Sequence, residues 1–279
     1  MKRLPRRLTS LPPAFATLLL LSSFARAAWP VQFGNSSKNY ASGVATDTAG
    51  NVFAGGYTEG GILGQTSLGL IDGYVAKWDT AGTLQWASLV GTASSDGVLG
   101  LTRVGTSHIA AAGYTDGSLP TFTSAGSSDA MVRLYNGTGT TLWTHQFGTS
   151  GYERAYGLAV DAADQVVVGG QTDGTFPGET TPDARYDGFV RVLAADGTVL
   201  STDQFGGTGS VLTEGGSLAV DASGHAYLAG HTDGALPGQT YQGKDDAFLI
   251  QFTLPVPEPT TATLLLGGLT LLGLRRRRG

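Results

Sequence analysis

An all-β fold made of tandem copies of one motif is what this sequence predicts, on three observations. The segment GLAVDAADQVVVGGQTDG, Gly157 to Gly174, recurs at the same length as GVATDTAGNVFAGGYTEG (Gly43 to Gly60), GLTRVGTSHIAAAGYTDG (Gly100 to Gly117) and SLAVDASGHAYLAGHTDG (Ser217 to Gly234). Their spacing of about 57 to 60 residues is that of an array of supersecondary units. A second block follows each of the first three: DGYVAKWDTAGTLQW (Asp72 to Trp86), DAMVRLYNGTGTTLW (Asp129 to Trp143) and DGFVRVLAADGTVLS (Asp187 to Ser201). The fourth unit stops after one strand, DAFLIQF (Asp246 to Phe252). Finally, 43 of the 279 residues are glycine, about twice ordinary usage, which suits a tight turn every dozen residues better than helices.

Taken in order, the chain opens on Lys2, Arg3, Arg6 and Arg7, an apolar run Ala14 to Leu21 and small residues ending at Ala27. This pattern predicts a secretory signal peptide over residues 1–27, cleaved before Ala28. The body, residues 28–252, reads as four strands per unit. In the third unit these are Leu158 to Asp161, Gln165 to Thr172, Gly188 to Leu193 and Thr198 to Phe205. Four-stranded antiparallel sheets repeated radially make a β-propeller. Four blades are therefore expected, with small residues at Gly43, Gly157 and Ser217 where the inner strands converge.

The two ends of the body complement each other. Trp86 and Gly91, then Trp143 and Gly148, mark outer strands, and Trp29 and Gly34 share their spacing. Trp29 to Gly34 thus reads as an outer strand without a blade, and the last unit as a blade without an outer strand. Pairing the two would zip the ring closed and remove the exposed edges; the alternative is an open β-repeat array. Ser201 in place of Trp and Val104 in place of Asp mark the third outer strand and the second hairpin as the weakest parts.

Residues 253–279 hold Pro257, Glu258 and Pro259, an apolar run over residues 260–274 and the cluster Arg275, Arg276, Arg277 and Arg278. Fifteen helical residues reach roughly 22 Å, short of a hydrocarbon core of about 30 Å, so a spanning helix here needs its arginines to snorkel. Arginines after the span are expected to stay in the cytoplasm, placing the body outside. This tail resembles the PEP-CTERM sorting signal. The resemblance implies recognition by an exosortase-type sorting protease in a Gram-negative bacterium, with membrane contact through residues 260–274 before processing. It also implies cleavage near Pro257 to Pro259 and delivery to the cell surface or extracellular matrix. A permanent anchor would need the same apolar span.

The strings from Asp47 to Thr58 and from Asp72 to Gly82 resemble the SBBP-type bacterial β-propeller repeat. The resemblance spans most of Trp29 to Phe252 and brings no catalytic residues. The family's name implies seven blades, whereas this chain carries four units.

Composition narrows the function. Between Ala28 and Phe252 lie eight of the 17 Lys+Arg and 21 of the 22 Asp+Glu, an acidic balance that argues against nucleic acid. With no Cys in the chain, disulfides and thiolate metal sites are unavailable. The four histidines stand where other copies carry Asn, Gln, Tyr, Ser or Asp, which reads as framework, and no catalytic motif appears. The acids form a pattern of their own. Glu59, Asp116, Asp173 and Asp233 end one strand, and Asp72, Asp129, Asp187 and Asp246 begin the next. Both sets are therefore expected at one end of each blade, as turn caps or as oxygen ligands for a hard cation such as calcium. The aromatics Phe33, Phe147 and Phe205, and Trp29, Trp86 and Trp143, suit packing between blades or stacking on sugars. The expected function is that of an exported, non-enzymatic binding or structural module, with extracellular polysaccharide or a surface protein as partner. The alternative is an envelope enzyme acting on glycans through a carboxylate pair.

Overall fold

The computed structural model describes residues 29–180, 185–213 and 217–256. The expected leader, the sorting residues Pro257 to Pro259 and Arg275 to Arg278, and the apolar run 260–274 lie outside them. Among the described residues no helix is long and apolar enough to cross a membrane.

The described chain forms four antiparallel sheets. The first contains β1 (Asn39–Thr46), β2 (Val52–Thr58), β3 (Asp72–Trp78) and β4 (Leu84–Val90) in sequential order. The second contains β5 (Asp96–Val104), β6 (His108–Thr115), β7 (Asp129–Tyr135) and β8 (Thr141–Phe147). The third contains β9 (Glu153–Val160), β10 (Val166–Thr172), β11 (Asp187–Leu193) and β12 (Val199–Phe205). In the fourth, β13 (Val211–Leu212) and β14 (Leu218–Val220) share the inner edge of β15 (His225–Thr232), and β16 (Asp246–Thr253) flanks its other edge. These are four blades of the kind that make a β-propeller.

Local chemistry explains the repeated hairpins. Asp47 Oδ1 accepts the N–H groups of Ala49 and Asn51 at 3.0 and 2.9 Å, and Gly50 turns the chain at φ 82°, a conformation that costs glycine little. Asp161 and Asp221 hold their turns in the same way. The second hairpin, expected to be weak, finds another acceptor: Gly105 N–H donates to Asp164 Oδ1 of the next blade at 3.0 Å, while Val104 is buried. Close approach sets a second glycine requirement. A β-carbon on Gly113 would stand 1.8 Å from the Gly97 carbonyl oxygen, beside the bulge between Val98 and Gly100.

Three apolar cores lie between successive blades. The first joins Val75 and Val90 to Val98, Ala111 and Tyr135. The second joins Ala112, Val132 and Phe147 to Ala155, Val168 and Phe189. The third joins Val167 and Val190 to Ala226 and Leu228. Outer-strand aromatics bridge these junctions. Trp86 packs on Tyr135 with centroids 5.8 Å apart, and its indole N–H reaches the Gly137 carbonyl at 3.2 Å. Trp143 repeats the contact with Ala195 at 3.0 Å. The aromatic periodicity therefore serves blade packing.

The expected zip between the chain ends is not formed. Residues 29–35 make no strand, and among the described residues β16 pairs with β15 alone. Instead Phe33 packs on the first blade, 5.8 Å from Tyr74 and 4.9 Å from Trp78. Two causes are visible. Pro30 removes one N–H from the segment, and among the described residues no extended packing brings the fourth blade against the first.

Candidate functional site

The acidic end of each blade is built by hairpin register. Thr58 faces Asp72, Thr115 faces Asp129, Thr172 faces Asp187 and Thr232 faces Asp246 across adjacent strands. The two series of acids expected at one end of each blade are therefore brought together there. Their environments differ. Asp72, Asp129 and Asp187 are buried and Asp246 is partly buried, whereas Asp116, Asp173 and Asp233 are exposed and Glu59 is intermediate.

The inner series holds loops. Asp72 Oδ2 accepts Ser67 Oγ–H and Leu68 N–H, both at 2.8 Å. Asp129 Oδ2 accepts Ala125 N–H at 3.0 Å, and Asp246 Oδ2 accepts Gln242 N–H at 2.7 Å. In the outer series, Asp173 Oδ1 takes Tyr152 N–H at 2.5 Å and Asp233 Oδ1 takes Ser210 N–H at 2.6 Å. Asp116 binds through its backbone N–H to Ser95 O at 2.9 Å. Glu59 meets Lys38 at 3.5 Å on the surface, where such a pair contributes little.

Two further acids escaped the sequence reading. Asp96 and Glu153 open β5 and β9 and are fully buried. Asp96 Oδ2 accepts Thr92 N–H and Oγ–H at 2.6 and 3.0 Å. Glu153 accepts Thr149 N–H at 2.8 Å, and the hydroxyls of Thr149 and Thr172 at 2.6 Å each. Asp129 Oδ1 and Glu153 Oε2 both lie 2.4 Å from where a β-carbon on Gly148 would sit, so they face each other across the space of one methyl group. Asp72 and Asp96 repeat this beside Gly91. Burial, with the neighbouring carboxylate adding to it, pushes Asp96 and Glu153 above the ordinary carboxyl range despite their hydrogen bonds. The signal that marked them was Gly-Thr placed five and four residues before an acid at both Gly91 and Gly148.

Oδ1 of Asp72, Asp129 and Asp187 is buried without a hydrogen-bond partner. Among the described residues, however, no three His, Asp or Glu side chains converge closely enough to hold a metal ion. The closest carboxylates are sealed between blades rather than open to a cleft. This arrangement fastens blade to blade.

A second recurring element is a glutamine socket. In the second blade, Gln146 Nε2 donates to Asp129 Oδ2 at 2.7 Å and to Gly117 O at 2.8 Å, while its Oε1 accepts Leu119 N–H at 2.8 Å. In the third blade, Gln204 does the same with Asp187 Oδ2, Gly174 O and Phe176 N–H at 2.8, 2.9 and 3.0 Å. Asp129 and Asp187 are thus each half of a latch between the outer strand and a loop.

The comparisons with known proteins agree with this architecture. Residues 29–64 match the SBBP family model, described as a beta-propeller repeat, and residues 255–278 match the PEP-CTERM protein-sorting motif. "Regulatory protein FlaEY" of Caulobacter vibrioides is 25% identical over 233 residues, covering 76% of this chain. The chain spans only 24% of that relative's length. The PQQ-bound aldose sugar dehydrogenase of Streptomyces coelicolor aligns over 78% of this chain and 84% of its own. Its TM-score is 0.28 at 11% identity, a likeness too slight to bear on fold or activity. The sorting motif indicates recognition by an exosortase and export to the cell envelope or surface of a Gram-negative bacterium. The chain thus carries a match to the SBBP β-propeller repeat over residues 29–64 and, over residues 255–278, the PEP-CTERM motif of exported proteins sorted by an exosortase.

Proposed function

We propose that this chain is a non-catalytic binding or structural module that works outside the cell, in extracellular polysaccharide or on the cell surface. The exosortase would remove its tail near Pro257 to Pro259. The observation that carries this reading is the sorting motif over residues 255–278 on a body of propeller blades. The chemistry of the acids supports it. A glycosidase needs two carboxyl groups about 5 to 10 Å apart across a substrate cleft, whereas the closest pairs here are buried between blades and accept hydrogen bonds from loop donors.

Mass spectrometry of the surface protein tests the sorting half, and a mature C-terminus upstream of Thr260 is expected. An intact Arg275 to Arg278 on surface-exposed protein would show a permanent anchor instead. For the body, binding to an extracellular polysaccharide or envelope protein is the expected result of an array screen, run with and without calcium. Turnover of any arrayed glycan would overturn the non-catalytic reading.

A further inference from the structure

The fourth blade carries an open copy of the glutamine latch. Its loop and strand bring Gly234, Leu236 and Asp246, the counterparts of Gly117, Leu119 and Asp129, to the wall of a cavity of about 650 Å³. Phe205, Phe248 and Ile250 supply the apolar part of that wall. The second and third blades fill this place with Gln146 and Gln204 from their outer strands, and the described fourth blade has no such strand. The edge beyond β16 is correspondingly bare, with Leu249 70% exposed.

The matching half stands at the other end of the chain. Gln32-Phe33-Gly34 reproduces Gln146-Phe147-Gly148, and it is also the spelling of Gln204-Phe205-Gly206. Phe33 already occupies the outer-strand position relative to the first blade. Its edge-on contact with Tyr74 at 5.8 Å repeats those of Phe147 with Phe189 and Phe205 with Phe248, both also at 5.8 Å. Gln32 beside it is exposed.

A second unmated contact lies on the inner strands. Leu101 and Leu218 each press on a glycine of the preceding blade, Gly55 and Gly169. Val44 holds the same register position in β1 and is 70% exposed; its counterpart on a preceding blade would be Ala229. The latch, the edge-on ring contact and the inner-strand contact of a blade junction thus each have a half at either end of the chain, while among the described residues of one chain the fourth blade makes no extended packing with the first.

We infer that the occupant of the fourth-blade edge is the Trp29–Gly34 segment of a second copy of this chain. Two copies dock reciprocally, closing eight blades into one ring. The register continues that of the other blades, with Gln32 opposite Phe248 and Val31 opposite Leu249, as Gln146 stands opposite Met131 and His145 opposite Val132. Reciprocal docking satisfies both bare edges at once, which a closed two-copy assembly requires. Propellers of up to eight blades are within the known range.

The absence of cysteine gives a clean test on the exported, full-length-expressed protein. Val31→Cys and Leu249→Cys are made as separate variants, mixed after partial denaturation and refolding, and oxidised. A covalent heterodimer is expected, alongside a native mass of two copies for the unmodified protein. Gln32→Ala, at a site exposed in the single chain, should weaken association roughly tenfold or more by leaving the latch empty while the monomer keeps its β-sheet circular dichroism. Two results would overturn the inference. One is a monomeric native mass, with cross-linking only inside a chain that carries both cysteines, which means closure within one chain. The other is a ladder of trimers and larger species, which means an open filament.

Discussion

Asp96 and Glu153 show how a buried carboxyl can fasten a junction and still work against it. Each satisfies a Gly-Thr loop, yet burial and a second carboxylate across a glycine raise its pKa. The ordinary values are 3.8 and 4.5, so the stability they allow is full below those values and declines as pH rises through the raised folded ones. Asp96→Asn combined with Glu153→Gln should flatten this decline, because each amide oxygen still accepts a threonine backbone N–H and the Thr149 and Thr172 hydroxyls can turn to accept from the new amide N–H. Thermal melts of both proteins from pH 4 to 8 would decide it, and an unchanged slope would mean that neither carboxyl is raised by folding. Asp47 runs the opposite way. Burial opposes its charge, but hydrogen bonds from Asn51 and the Lys77 ammonium at 3.2 Å outweigh it and lower its pKa. Its contribution is present above 3.8 and is lost as pH falls through the lower folded value. Lys77 is buried with it and also donates to Gly137 O of the next blade at 3.1 Å. Lys77→Met should therefore destabilise by about 3–5 kcal/mol, the usual cost of stranding a buried charge, as measured by urea unfolding at pH 7.

Individual strands are specified by glycines that admit a neighbouring backbone. A β-carbon on Gly113 would clash with the carbonyl oxygen of Gly97, so Gly113→Ala must displace β5 from β6 at its bulge. The loss should fall on this pair first, with hydrogen exchange faster in β5 and β6 than in β10 and β11; equal protection throughout would show that the bulge absorbs the methyl. At this scale the sequence was largely readable. In the third unit β10, β11 and β12 begin and end within one residue of expectation, because alternation and Asp-x-x-Gly turns are local signals. The inner strand β9 begins at Glu153, five residues before the expected Leu158. Its first half, Glu153 to Ala155, pairs with Gly170 to Thr172 of β10 beyond a bulge, and nothing in its own alternation announces that partnership. The same blindness hid Asp96, Glu153 and the two latching glutamines, whose roles exist only across a loop or a strand.

At the scale of the whole molecule, the described blades are joined in series through three apolar junctions. Phe147 is the hinge pin of the middle one, meeting Phe189 at 5.8 Å and Phe176 at 6.1 Å, with the Arg191 guanidinium 3.8 Å from its ring centre. Phe147→Ala should cost about 3–5 kcal/mol. In an array held by nearest-neighbour contacts, the variant should also lose cooperativity between its two halves. Calorimetry would reveal two transitions in place of one; a single sharp transition would show that the junctions do not act in series.

By itself the sequence determined that the chain is all-β, that it holds four repeated units and that it carries a sorting motif. Periodicity, turn residues and a linear tail signal are properties of neighbours along the chain. Only the tertiary structure decided which acids are buried, that the aromatics bridge blades, and that the Trp29 to Gly34 segment leans on the first blade and leaves β16 bare. Those outcomes depend on packing between residues tens of positions apart, such as Asp129 with Glu153 and Phe33 with Tyr74, where burial and the geometry of the adjoining blade, rather than local spelling, set the free energy.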